Sequence, residues 1–146
     1  MARIDYVDTS AASDRTRDML AKNGHKNIFM MLGHSESHLV NYCRLGGAIR
    51  HKGALDPGLR ELAITRTGIL CGSEYEVIAH RRISADVGVV QDKIDALEEG
   101  PEAAVFTDVE RAVLRFTDEV VNLQRPTDQT FAAVAQHLTS ECLVEL

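Results

Sequence analysis

Apolar residues recur every three or four positions along most of the chain, a spacing that predicts helices rather than strands. The clearest example is the segment 107–123, in which apolar residues stand at 109, 113, 116, 120 and 123. On a helix these positions form one continuous stripe, so the segment is expected to pack one face against a core. No run alternates cleanly between apolar and polar residues, and β-branched residues are scattered. We therefore predict an all-α fold.

Capping residues, glycines and prolines divide this pattern into about eight helices. Asp56 and Pro57 form a typical helix start, and Ser73–Glu76 and Thr107–Glu110 both fit the capping-box pattern. Gly46 and Gly47 fall inside a predicted helix, which suggests a kink or the close approach of another backbone. The predicted segments are 13–21, 27–33, 36–51, 56–70, 73–87, 90–98, 107–123 and 127–138.

The last segment, 139–146, begins with the cap-like pair Thr139 and Ser140 but is too short to be a stable helix alone. We expect either that it packs on a partner or that the chain is a truncated version of something longer. No linker or repeat interrupts the pattern, so residues 1–146 are predicted to form a single domain.

Composition narrows the function classes. The 146 residues are 45% hydrophobic and 26% charged, as in soluble globular proteins, and the net charge of −6 disfavours nucleic-acid binding. No apolar stretch approaches the roughly 20 residues that span a bilayer, and no apolar signal segment opens the chain. Three cysteines argue against a disulfide framework, so we expect a cytoplasmic protein.

The residues best suited to chemistry lie between 61 and 80. Glu76 and His80 are four apart on one predicted helix, so their side chains are neighbours, and Glu61 on the preceding helix can join them if the two helices pack antiparallel. A carboxylate that orients an imidazole makes a general acid or base near neutral pH. The plainer alternative is that Glu76 closes a capping box with Ser73 and that Glu76–His80 is a surface pair worth about 0.2–0.5 kcal/mol.

Three nearby residues are open to two interpretations each. Arg66 stands in an otherwise apolar stripe, where it either anchors a substrate carboxylate or extends its head to water. Tyr75 either donates a hydrogen bond to a substrate oxygen or is a core residue whose hydroxyl finds a partner at the edge of the core. Cys71, two residues before a helix cap, is either a reactive thiol or an inert one.

Metal binding has weak support in the sequence. His34 and His38 are four apart, but no motif with metal-ligand spacing includes them, and there is no glycine-rich phosphate loop. We therefore expect neither a metal nor another cofactor.

The pattern around these residues resembles the carboxymuconolactone decarboxylase and alkyl hydroperoxidase D-like family. The resemblance rests on Leu59 through Ile64, Ser73 through Glu76, His80, Gly88-Val89, Ile94 and Leu97, with flanking similarity at Asn27-Ile28-Phe29 and 107–123. It implies an all-α helical bundle that assembles as a homo-oligomer, a trimer or hexamer, with the site near subunit contacts. It also implies that Glu61, Tyr75, Glu76 and His80 line that site.

The chain departs from the hydroperoxidase branch of that family at the thiols. In that branch a Cys-x-x-Cys pair precedes the histidine by seven and four residues, and these positions are Ser73 and Glu76 here. Cys71 is offset by two and does not correspond to either thiol. Members also continue with one more helix where Leu146 ends this chain.

These observations lead to three functional hypotheses. The first is a cofactor-free enzyme similar to γ-carboxymuconolactone decarboxylase, acting on a small organic acid or lactone. In this hypothesis His80 donates the proton and Glu76 orients the His80 ring. Tyr75 or a protonated Glu61 donates a hydrogen bond to the enolate oxygen, and Arg66 binds the substrate carboxylate. The second is a peroxiredoxin-type hydroperoxide reductase that uses Cys71. The third is a non-catalytic helical oligomeric binding protein.

Overall fold

The computed structural model describes residues 3–146 and confirms the all-α prediction. The described residues form nine helices and no strand: α1 (Asp14–Lys22), α2 (Asn27–Leu32), α3 (Glu36–His51), α4 (Pro57–Leu70), α5 (Glu74–Asp86), α6 (Gln91–Ala96), α7 (Asp108–Leu123), α8 (Asp128–Ala135) and α9 (Ser140–Glu145). No helix in this part of the chain is both long enough and apolar enough to cross a membrane.

The chain divides into two compact units, and the boundary between Lys52 and Gly53 directly follows α3. The first unit contains α1 to α3 around a small core of Leu20, Phe29 and Leu39. Gly46 and Gly47 lie on an open side of α3, where an added Cβ would meet no atom within 4 Å. Within residues 3–146, therefore, no other backbone approaches α3 closely at these glycines.

The second unit is organised around α4, which packs against both α5 and α7. One core cluster joins Leu62 of α4 to Leu97, Phe106 and Leu114. The other joins Ala63 of α4 to Ala112 and Val113 of α7 and Val134 of α8. Both clusters include residues of α4, and seven of its 14 residues are buried, including the polar residues Arg60, Glu61, Thr65 and Arg66.

The terminal helix α9 packs within the second unit. Leu143 and Leu146 lie against the cluster that contains Ala63, and the Glu145 carboxylate accepts a 2.7 Å hydrogen bond from the backbone N–H of Leu55, just before α4. The segment therefore makes contacts within its own unit, which neither of the two sequence expectations included.

The two predicted capping boxes have different outcomes. At the start of α7, Thr107 accepts from the N–H of Glu110 while the Glu110 carboxylate accepts from the N–H of Thr107, so this box is confirmed. At the start of α5, the Ser73 side chain makes no capping hydrogen bond. The prediction of a capping box at Ser73 is therefore wrong, and the carboxylate of Glu76 lies near His80 instead.

Candidate functional site

A tight turn between α4 and α5 builds the frame of the site. Gly72 adopts a positive φ of 65°, and its N–H donates to the carbonyl of Ile69 while the N–H of Ser73 donates to that of Gly68. This pair of hydrogen bonds is the Schellman motif that often ends helices. It reverses the chain so that α5 runs back along α4.

Gly68 lets the two helices approach closely. A Cβ at Gly68 would stand 3.2 Å from Cγ2 of Val77 and 3.3 Å from Cβ of Glu76, tighter than ordinary van der Waals contact. Further along the same interface, the hydroxyls of Thr65 and Ser84 face each other at 3.4 Å, and both residues are fully buried. These two contacts hold α4 and α5 together along their interface.

Glu61 and His80 meet inside this interface. Oε2 of Glu61 lies 2.7 Å from Nδ1 of His80, and Glu61 has no solvent exposure. Oε1 of the same carboxylate accepts a 3.0 Å hydrogen bond from Nε of Arg60. Each carboxylate oxygen of Glu61 therefore has a nitrogen donor, as a buried polar group requires.

These donors set the charge of Glu61. Burial raises the pKa of the Glu61 carboxyl, but the hydrogen bonds and positive charge of His80 and Arg60 outweigh burial and leave the pKa below its ordinary value of 4.5. Glu61 is thus a carboxylate at neutral pH. Since a carboxylate only accepts hydrogen bonds, Nδ1 of His80 must carry the proton that it shares with Glu61.

The second ring nitrogen of His80 faces the more open side of the site. Its Nε2 lies 3.4 Å from Oε2 of Glu76, one helical turn earlier on α5. The His80 side chain is 14% exposed, whereas that of Glu76 is 40% exposed. Nε2 can therefore exchange a proton near solvent while Nδ1 is held by a buried carboxylate, an arrangement suited to general acid–base chemistry.

The comparisons with known proteins place the chain in a family. A model of the carboxymuconolactone decarboxylase family matches residues 39–119, more than half of the sequence and all of the site described above. The chain belongs to the carboxymuconolactone decarboxylase family. This confirms the resemblance seen in the sequence, whereas a search of curated proteins gave no match.

A solved structure with the same fold is similar to the chain over nearly its whole length. It is the crystal structure of an uncharacterized peroxidase-related protein from Ralstonia eutropha, described as an alkylhydroperoxidase AhpD core. The TM-score is 0.81 at 22% sequence identity, with 98% of this chain and 80% of the other covered. At that identity the similarity confirms the alkyl hydroperoxidase D-like fold.

The structure brings three of the predicted residues of this family member together and leaves two on the surface. Glu61, Glu76 and His80 form the cluster, as expected from their spacing. Tyr75 precedes Glu76 on α5 and is 46% exposed. Cys71 is an exposed free thiol that ends α4, and no contact between it and the cluster is found in the described residues.

Arg66 is held in a different place from the one its predicted role requires. Its guanidinium forms a bidentate pair with Asp118 of α7, at 2.7 and 2.9 Å, and also donates to the carbonyl of Leu97 at 2.7 Å. Gly100, with φ of 94°, backs the guanidinium so closely that a Cβ there would stand 3.2 Å from it. These hydrogen bonds join α4 to α7 and to the end of α6, and they favour a structural role for Arg66 over the predicted role as the anchor of a substrate carboxylate.

No group of three potential metal ligands comes together in residues 3–146. His34 has its Nε2 2.8 Å from the carbonyl of Asp5, and His38 has its Nδ1 2.7 Å from the Ser35 hydroxyl. The geometry thus places these histidines in local hydrogen bonds.

An open groove of the second unit is lined by none of the cluster residues. Its volume is about 410 Å³, between α7 and α8, and Arg111, Arg115, Gln129 and His137 are among its lining residues. Arg115 pairs with Glu102, and Arg111 donates to carbonyl oxygens of the preceding loop. Two basic side chains of the groove, Arg111 and Arg115, are thus already engaged with other parts of the second unit.

Sequence reasoning missed Arg60 and Gly68. Arg60 adjoins Glu61, but consecutive residues on a helix do not face each other, so nothing in the spacing indicates that their side chains meet. Gly68 did offer a signal, because a glycine inside a helical pattern often marks a close backbone approach.

Proposed function

We propose that this member of the carboxymuconolactone decarboxylase family is an enzyme that transfers a proton through Nε2 of His80 to a carbon atom of a small organic acid or lactone. The observation that carries the proposal is the 2.7 Å contact between Nδ1 of His80 and the fully buried carboxylate of Glu61. A buried carboxylate behind an imidazole fixes the orientation of the ring and stabilises its protonated form.

The reaction that fits best is loss of carbon dioxide from a carboxylated lactone. The bond between the carboxylate carbon and the ring breaks, and its electron pair passes into the conjugated carbonyl to give an enolate. The enolate carbon then takes the Nε2 proton of the doubly protonated His80 ring, and the resulting neutral ring, which keeps its Nδ1 proton, regains one on Nε2 from solvent. Because the substrate's own carbonyl accepts the electrons, this reaction requires no bound cofactor.

The other site residues have distinct parts in this proposal. Glu61 is ionised, so it orients His80 rather than donating to the enolate oxygen. Glu76, half exposed beside Nε2, is placed to pass protons between His80 and solvent. Tyr75, which precedes Glu76 on α5 and is 46% exposed, is the remaining candidate for the donor to the enolate oxygen.

Among the contacts described for residues 3–146, none favours the peroxidase alternative. A thiol route needs Cys71 near the groups that move its proton, and Cys71 touches none of them among the residues described. The homo-oligomer and the cytoplasmic location remain predictions.

The experiment is a turnover assay on a panel of small lactones, beginning with γ-carboxymuconolactone. Purified protein is mixed with each compound, and carbon dioxide release is followed together with deuterium incorporation from D₂O into the product. We expect one compound to turn over, with deuterium at a single carbon, and the variant His80→Gln to be slower by about 10²–10⁴-fold. Equal turnover by His80→Gln would contradict the proposal. Peroxide consumption dependent on Cys71, with no lactone turnover, would favour the thiol hypothesis.

A further inference from the structure

Arg60 makes a contact that its position on the helix does not explain. It directly precedes Glu61 on α4, and consecutive helical side chains point about 100° apart. Nevertheless its Nε lies 3.0 Å from Oε1 of Glu61, and Arg60 is only 8% exposed. The long side chain therefore turns back toward its neighbour within the protein interior.

The contact matters because burial alone would favour the protonated form of Glu61. A carboxylate removed from water keeps its charge only when donors or cations compensate for the lost hydration. His80 compensates on Oε2, but His80 is also the group that must gain and lose a proton in the proposed reaction. Arginine, by contrast, stays protonated throughout the physiological pH range. Arg60 is thus the constant source of positive charge on Glu61, and His80 is the variable one.

The other charged groups near this pair have different partners. On the α5 side, Glu76 lies against Nε2 of His80 rather than against Glu61. On the α7 side, Asp118 is paired with Arg66. Of the contacts to Glu61 that the structure describes, the two from nitrogen atoms therefore come from Arg60 and His80.

We propose that Arg60 is a positioning residue of the site, which holds Glu61 as a carboxylate and turns it so that Oε2 alone meets His80. Its effect on catalysis rests on the proposed function, but its effect on the charge of Glu61 does not. The two are therefore measured separately.

The charge of Glu61 is measured without any substrate. Protein labelled with ¹³C at the glutamate side-chain carboxyls is titrated by NMR, and the Glu61 signal is assigned from its loss in Glu61→Gln. We expect the wild-type midpoint to lie below 4.5. In Arg60→Gln the midpoint rises by about one pH unit or more, a tenfold gain in proton affinity, because one donor and one positive charge are lost. Arg60→Lys, which keeps the charge, retains most of the wild-type behaviour.

Arg66→Lys and Arg66→Gln are the matched controls, since Arg66 is an equally buried arginine of α4 that pairs with Asp118 instead. They should leave the Glu61 midpoint where it is. The proposal is overturned if Arg60→Gln and wild type share one midpoint, or if the Arg66 variants move it equally. If Arg60→Gln does not fold, the wild-type protein decides: the ¹⁵N signal of Arg60 Nε should shift as Glu61 titrates, and an Nε signal that does not follow the Glu61 midpoint overturns the proposal.

The catalytic consequence is read from the pH profile once a substrate is found. In Arg60→Lys the acidic limb of the plot of kcat against pH should stay close to that of wild type. In Arg60→Gln this limb should move to higher pH by about the shift of the Glu61 midpoint. A purely structural role would lower kcat at every pH without moving the limb, and that result would contradict the positioning role even where the proposed function holds.

Discussion

Nδ1 of His80 lies 2.7 Å from Oε2 of Glu61, across an interface between two helices that a three-residue turn connects. The turn reverses the chain, and the missing side chain of Gly68 lets the helices close on each other. Together these features bring residues 19 positions apart into a buried hydrogen bond. A buried carboxylate and a partly exposed imidazole thereby form one proton-transfer unit.

Replacing Glu61 by Gln should remove the carboxylate that accepts the hydrogen bond from Nδ1 of His80 while keeping the size of the side chain. We expect kcat on the identified substrate to fall by about 10²–10⁴-fold with little change in KM, measured by steady-state kinetics. Glu110→Gln is the matched control, because Glu110 is a largely buried carboxylate with a lowered pKa that pairs with Lys93. If Glu61→Gln and Glu110→Gln lower kcat by the same small factor, Glu61 does not take part in catalysis through His80.

The lowered pKa of Glu61 predicts a pH dependence of stability. In the folded protein Glu61 binds a proton only below 4.5, whereas in the unfolded chain it binds one near that value. The stabilisation is therefore complete above pH 4.5 and is lost as the pH falls through the lower pKa of the folded state. Urea unfolding at a series of pH values should show a steeper loss below 4.5 for wild type than for Glu61→Gln, and parallel curves would be the contrary result.

The close approach at Gly68 can be tested with alanine. Gly68→Ala places a Cβ against Val77 and Glu76, so the helices must separate, and we expect a loss of about 1–3 kcal/mol of unfolding free energy together with lower activity. Gly46→Ala in α3 is the control, because its Cβ meets open space and a helical alanine stabilises by about 0.5–1 kcal/mol. The unfolding free energies of both variants are measured by denaturant unfolding. If Gly68→Ala is stabilised as Gly46→Ala is, the close approach at Gly68 is contradicted.

Arg66 is expected to contribute to stability rather than to substrate binding. Arg66→Met leaves Asp118 without its bidentate partner, which should cost about 3 kcal/mol of unfolding free energy. The fraction that remains folded should have an unchanged KM. A raised KM at full stability would instead return Arg66 to the role that its place in an apolar stripe suggested.

The helical fold was predictable because periodic apolar positions are a local property of the chain, as in α7, where the Thr107–Glu110 capping box is also local. The cluster of Glu61, Glu76 and His80 was partly predictable, since Glu76 and His80 are four apart and the family resemblance pointed to all three. The partner of Arg66 could not be predicted, because Asp118 lies 52 residues further along the chain. The prediction of a capping box at Ser73 was wrong because the backbone of Ser73, with ψ of 86°, does not adopt the extended conformation of Thr107.

The protonation of the His80 ring is the most direct measure of whether Glu61 and His80 form the unit described. In ¹⁵N-labelled protein, the neutral ring should show a protonated Nδ1 and an unprotonated Nε2, and Glu61→Gln should weaken this preference. A neutral ring with its proton on Nε2 in the wild-type protein would contradict the account, since Glu61 would then not be the acceptor that fixes His80.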